Sequence, residues 1–148
     1  MIILGDAEAT MALGGRLAAL MRPGDVVLLS GPLGAGKTTL ARGLLRALGW
    51  QGEVPSPSFT LVECYDAPPL RLPVWHVDLY RLEHPREVQA LGLDEAQAGV
   101  LLVEWPQRLD AATFPDALRL QLVPAPGGAR GLTASVPAAW AGRWPPPA

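Results

Sequence analysis

The chain has no asparagine, one lysine, one cysteine and no apolar run approaching a membrane span. Each shortage excludes something. Without asparagine, the N-K-x-D signature that reads guanine cannot be written, which argues strongly against a GTPase. A lone Cys64 allows no disulfide framework and suits a reducing, cytoplasmic setting. Nothing near Cys64 would activate it as a nucleophile. A bilayer span needs about 20 consecutive apolar residues. Ile2-Ile3-Leu4 at the start is too short for a secretory signal, so no membrane attachment is expected. A net charge of −2 argues against a broad electrostatic footprint on nucleic acid, and any RNA would be held mainly by a partner protein.

The single lysine is informative because the remaining basic residues are eleven arginines. Lys37 lies in Gly31-Pro32-Leu33-Gly34-Ala35-Gly36-Lys37-Thr38, a full match to the Walker A pattern G-x-x-x-x-G-K-[ST]. Glycines let such a loop wrap closely around phosphate oxygens and turn backbone N–H groups inward. A compact ammonium on a flexible stem reaches the β- and γ-phosphates where a planar guanidinium would not. The Thr38 hydroxyl is left to ligate Mg²⁺. The flanks agree: Asp25–Ser30 reads as a buried parallel strand, and leucines 40, 44, 45 and 48 mark a helix stopped by Gly49. The loop therefore opens a helix whose dipole favours phosphate, and the segment implies a nucleoside-triphosphate site.

With 148 residues the chain suits one domain, expected over 1–140, followed by a Pro/Trp-rich tail over 141–148 that frays from Trp144. Residues 6–21 predict a helix capped by Asp6. Phe59–Tyr65 and Arg71–Asp78 predict two antiparallel strands joined through Pro68-Pro69, and 84–97 is weakly helical. Gly99–Glu104 is a second apolar strand, and late strands are expected near 117–123 and 131–136. The class that follows is α/β, a P-loop NTPase-like three-layer fold with a mainly parallel sheet and an inserted antiparallel hairpin.

Hydrolysis or transfer of a phosphoryl group needs an acid at the end of a neighbouring strand to hold Mg²⁺ or its waters. Glu104 ends the apolar run Val100–Val103 in the manner of a Walker B element, and Asp78 ends the strand containing His76. Either is also readable as a polar strand terminus facing water. The proline-restricted loop Val54–Thr60 offers hydroxyls at Ser56, Ser58 and Thr60. It reads as a switch that orders around Mg²⁺ and phosphate, or as an ordinary connector.

Taken in order, Gly31–Thr39, Val54–Val62, His76-Val77-Asp78-Leu79-Tyr80-Arg81-Leu82 and Val103-Glu104-Trp105-Pro106 closely resemble the TsaE (YjeE) family. That family is the small ATPase of bacterial tRNA threonylcarbamoyladenosine biosynthesis. The resemblance implies ATP and Mg²⁺ as cofactors, with Lys37 and Thr38 on the phosphates and metal. It implies Leu33, Gly34, Ala35, Gly36 and Thr39 among the nucleotide contacts and Glu104 as the metal-associated carboxylate. Asp78 would be needed for activity, with Lys37 and Glu104. Trp105 would lie near the nucleotide, Arg130 would reach it from a C-terminal hairpin, and Asp6 would touch it from the N-terminal side. The implied function is weak, partner-stimulated ATP hydrolysis alongside a TsaB–TsaD pair that modifies adenosine 37 of tRNAs reading ANN codons.

The family usually has threonine where Ser58 stands, and serine keeps the hydroxyl. The last twenty or so residues carry no transferable motif. Outside the resemblance, a small-molecule kinase on the same scaffold and a non-catalytic nucleotide-gated adaptor remain open.

Overall fold

The computed structural model describes residues 1–32, 34–57, 61–82, 87, 93–109 and 113–146, without the side chains of 94, 95 and 108. In chain order the regular elements are β1 (Ile2–Leu4), α1 (Ala7–Ala18), β2 (Val26–Ser30), α2 (Lys37–Leu48), β3 (Val62–Tyr65), β4 (Val74–Asp78), β5 (Val100–Glu104), β6 (Leu118–Pro124) and β7 (Arg130–Ser135). The strands form one sheet in the order β1-β7-β6-β2-β5-β4-β3. Its centre, β6-β2-β5-β4, is parallel, while β3, β7 and β1 add antiparallel edges. The two strands read as wholly apolar, β2 and β5, lie side by side in the parallel centre, as strands covered on both faces should.

Alternation along the strands assigns each residue to one of two cores. Val27, Leu29, Val74, Val100, Leu102, Leu118 and Leu120 share a cluster with the leucines of α1 and α2. Leu28, Val77, Leu101 and Val103 face the opposite side, with Leu82, Ala96 and the partly buried Leu93, Leu109 and Phe114. Both described α-helices therefore lie on one face. Among the described residues the third layer consists of short 3₁₀ segments such as Leu93–Ala98 and Pro106–Arg108. The weakly helical reading of 84–97 falls mostly outside the described residues. Its last part is the first of these 3₁₀ turns.

On the helical face, α1 begins as expected, with the Asp6 carboxylate accepting the Ala9 N–H at 2.8 Å. It ends at Ala18, not at Met21. Carbonyls at its end are taken by arginines distant in sequence, Arg71 on Ala18 and Met21 and Arg143 on Leu20. α2 ends at Gly49, whose φ of 118° supplies the left-handed cap. The two helices touch backbone to backbone. A Cβ on Gly43 would sit 2.0 Å from the Met11 carbonyl oxygen, and one on Gly14 2.2 Å from that of Leu40.

Ile2–Leu4, read only as too short for a signal, is a strand paired with Arg130–Leu132. The end of the chain also differs from the frayed tail expected beyond Trp144. Trp140 is fully buried, Trp144 packs against the helical core and Pro146 is buried. Arg143 stacks on Trp140 and makes a two-pronged pair with Asp25 at 2.7 and 3.1 Å. Proline prevents regular structure there but does not prevent docking. No helix among the described residues is long and apolar enough to cross a membrane.

Candidate functional site

The parallel register brings the ends of three strands together. β2 runs into the Gly31–Thr38 loop, β5 ends in Glu104 beside it, and Asp78 at the end of β4 lies opposite Glu104. Ligands of open α/β sheets bind at this carboxyl edge of the strands. Because 74, 100 and 102 belong to the helical face, alternation sends His76, Asp78 and Glu104 the same way, toward α2.

The loop is shaped by glycine where nothing else fits. Gly31 has φ 139°, and a Cβ on it would meet the Leu122 carbonyl oxygen at 2.2 Å. Gly36, at φ 104°, occupies the N-cap of α2 without any side-chain cap. The first N–H groups of α2 therefore face the cleft at the positive end of the helix dipole, an arrangement suited to an anion. Lys37, only 4% exposed, donates from Nζ to the Gly31 carbonyl and lies 3.8 Å from the centroid of the Trp105 ring. Burial pushes its pKa below the usual lysine value, opposed by the nearby Glu104 and Asp78 carboxylates. A buried ammonium against an uncapped helix start is complementary to phosphate oxygens.

Thr38, Glu104 and His76 form a chain. The Thr38 hydroxyl donates to Glu104 Oε2 at 3.3 Å, and His76 Nε2 lies 2.6 Å from the same oxygen. Asp78, buried, accepts the Tyr80 N–H at 2.9 Å. Trp105 adopts φ 60°, a left-handed conformation that costs a non-glycine residue about 1–3 kcal/mol and is concentrated at functional sites. Its ring lines the cleft beside the lysine and is backed by Tyr80, with ring centroids 4.8 Å apart.

The expected site residues mostly converge. Gly34, Gly36, Lys37, Thr38 and Thr39 line one cleft of about 230 Å³, facing Ser56, Asp78, Glu104, Trp105 and Arg130. Arg130 braces the loop, donating to the Gly34 carbonyl at 2.9 Å as well as to Ala129 and Gly128. Ala35 is fully buried, with its N–H on the Pro32 carbonyl, and Asp6 is occupied as the α1 cap; neither lines the cleft. Leu33 and the switch residues Ser58 and Thr60 lie outside the described residues. His76 and Tyr80 received no role from the sequence. Counting alternate residues along β4 from Asp78 would have put His76 on its face. A larger cavity of about 770 Å³ at the opposite end of the sheet lacks a comparable convergence of cation, carboxylates and helix start.

The donors fit a hard divalent cation. Thr38, Glu104 and Asp78 present oxygen, as Mg²⁺ requires. No cluster of three or more His, Cys, Asp or Glu side chains arranged for a metal exists among the described residues. The protein thus supplies part of a coordination sphere, as Mg²⁺ sites completed by phosphate and water do.

A family model described as threonylcarbamoyl adenosine biosynthesis protein TsaE matches residues 4–130, spanning every strand from the end of β1 to the start of β7. The chain belongs to the TsaE family. It is 46% identical over 116 residues to the tRNA threonylcarbamoyladenosine biosynthesis protein TsaE of Streptomyces coelicolor, covering 74% of this chain and 76% of that one. The Bacillus subtilis protein of the same name is 42% identical over 120 residues, 80% of this chain and 72% of that one. The crystal structure of Bacillus subtilis YdiB matches with a TM-score of 0.73 at 33% identity, covering 91% of this chain and 83% of that chain. The fold is thus the P-loop-type α/β arrangement expected from the sequence. TsaE membership places the chain in tRNA threonylcarbamoyladenosine biosynthesis.

Proposed function

We propose that this TsaE-family chain binds ATP with Mg²⁺ and hydrolyses it slowly in the cytoplasm, stimulated by a TsaB–TsaD pair that modifies adenosine 37 of tRNAs reading ANN codons. The observation that carries this reading is the meeting of the Lys37 ammonium, the uncapped start of α2 and the Thr38–Glu104 pair in one cleft. Together they match a triphosphate and its metal in charge and in donor type.

In this mechanism Lys37 exchanges its bond to the Gly31 carbonyl for phosphate oxygens, and the α2 N–H groups hold the rest of the phosphate chain. Thr38 and Glu104 would hold Mg²⁺ or its waters, and the ion would supply positive charge against that developing on the transferred group. Asp78 and Ser56 border the same space, where an attacking water would be oriented. Arg130 braces the loop through its bond to the Gly34 carbonyl, its guanidinium held by the Gly128 and Ala129 carbonyls, a positioning role. No glutamine lines the cleft among the described residues, and the guanidinium of Arg130 is occupied with the loop. That arrangement supports slow turnover by the chain alone.

The test is ATP turnover by the purified chain with and without TsaB–TsaD, for the wild type and for Glu104→Ala. The reading expects slow basal hydrolysis, strong stimulation, and a variant that still binds nucleotide but loses stimulated turnover. A fully active Glu104→Ala removes this carboxylate from the mechanism. Phosphate appearing on a metabolite instead of water favours a kinase.

A further inference from the structure

His76 lies behind the cleft, in contact with the lining residue Glu104, yet the mechanism above gives it no task. It is completely buried on β4, where its register partners are Leu102 on β5 and Glu63 on β3. Among the described residues its Nδ1 has no hydrogen-bond partner, and its Nε2 sits 2.6 Å from Glu104 Oε2. An imidazole half-satisfied in the core is an expensive way to fill space, since leucine would pack there without orphaning a polar atom. The one thing His76 does that leucine cannot is donate to Glu104.

We infer that His76 is a positioning residue for the metal-associated carboxylate. Nε2–H donates to Glu104 Oε2, while Nδ1 keeps its lone pair in the core. Glu104 faces the Lys37 ammonium, so it is the acceptor in this pair. With Thr38 Oγ1 on the same oxygen at 3.3 Å, the carboxylate is pinned from two sides, one on β4 and one on α2. Neither partner leaves it free to rotate away from the loop. Hydrogen bonds that orient a ligating carboxylate are typically worth about 10–100-fold in metal affinity or activity. The inference rests on the reading that Glu104 serves a metal in this cleft.

The experiment uses the full chain and a non-hydrolysable ATP analogue, titrated calorimetrically in Mg²⁺ and again in EDTA. Wild type should bind more tightly with Mg²⁺. His76→Leu should cut that Mg²⁺-dependent gain by about 10-fold or more while leaving the EDTA affinity unchanged. His76→Gln, whose amide nitrogen reaches the place of Nε2, should restore most of the gain. An equal loss in EDTA would mean that His76 merely supports the fold. An unchanged gain in His76→Leu would mean that Glu104 needs no help, and either result overturns the inference. A wild type with no Mg²⁺-dependent gain sinks the metal reading and the inference with it. Should His76→Leu not fold, His76→Gln and the ¹⁵N spectrum of the wild-type imidazole decide. The required form carries hydrogen on Nε2 and none on Nδ1, and the opposite tautomer refutes the role.

Discussion

The contact between α1 and α2 permits a prediction whose sign differs between neighbouring glycines. Alanine in place of a helical glycine normally stabilises by about 0.5–1 kcal/mol, because the unfolded chain loses freedom. Gly15 should behave in that way, since its new methyl would stand 3.7 Å from the Ala47 Cβ, an ordinary contact. Gly43 should not. Its methyl would lie 2.0 Å from the Met11 carbonyl oxygen, more than an ångström inside normal contact, and 2.8 Å from the carbonyl carbon. Backbone cannot rotate away as a side chain can, so the helices must separate.

Separation loosens Leu13, Leu17, Leu40 and Leu44, which are all at most 2% exposed. Overpacking of this kind costs about 1–3 kcal/mol, and at this contact it outweighs the propensity gain. At roughly 2–4 °C per kcal/mol, a drop of several degrees in Tm is expected for Gly43→Ala, against a small rise for Gly15→Ala. Urea unfolding followed by circular dichroism measures both. If Gly43→Ala is as stable as Gly15→Ala, the helices are not in backbone contact and the derivation fails. Lys37 and Thr38 open α2, so nucleotide affinity should fall with Gly43→Ala as well.

Two more predictions concern the end of the chain and the lysine. Arg143→Ala removes the two-pronged pair with Asp25, the bond to the Leu20 carbonyl and the stacking on Trp140. It should lower stability by about 1–3 kcal/mol in urea, with lysine recovering only part, and a loss below about 0.5 kcal/mol would show that the docked end is inconsequential. The pKa of Lys37 is lowered in the folded state, mainly by burial, so between that lowered value and 10.5 the unfolded chain holds more protons. The stability difference between wild type and Lys37→Met should therefore move in favour of wild type as pH rises through that window; movement the other way contradicts a desolvated ammonium.

What could be read from the sequence was mostly what local chemistry determines. The Walker A pattern encodes backbone geometry directly, and Gly31, Gly34 and Gly36 all take positive φ. Asp6 and Gly49 cap the helices that their positions suggested. Continuous apolar runs gave β2 and β5, and Glu104 and Asp78 were each placed at a strand end; their pairing across β4 and β5 came from the register. The misses depend on distant partners. β1 is only three residues long and exists because β7 pairs with it. α1 stops early where Arg71 and Arg143 take the carbonyls at its end, contacts separated by 50 to 123 residues. The docking of Trp140 and Arg143 was concealed by prolines, which forbid regular structure without forbidding burial. Alternation from Asp78 puts His76 on the cleft-side face of β4, but only the register of β4 on β5 brings it to Glu104.

The most direct measurement is calorimetric titration of wild type and Lys37→Ala with a non-hydrolysable ATP analogue in the presence of Mg²⁺. Stoichiometric binding by the wild type, weakened about 10–100-fold or more by loss of the charged donor, is the expected result. Equal affinity in the two proteins would mean that the cleft formed by the glycine loop, Thr38 and Glu104 is not where the nucleotide binds.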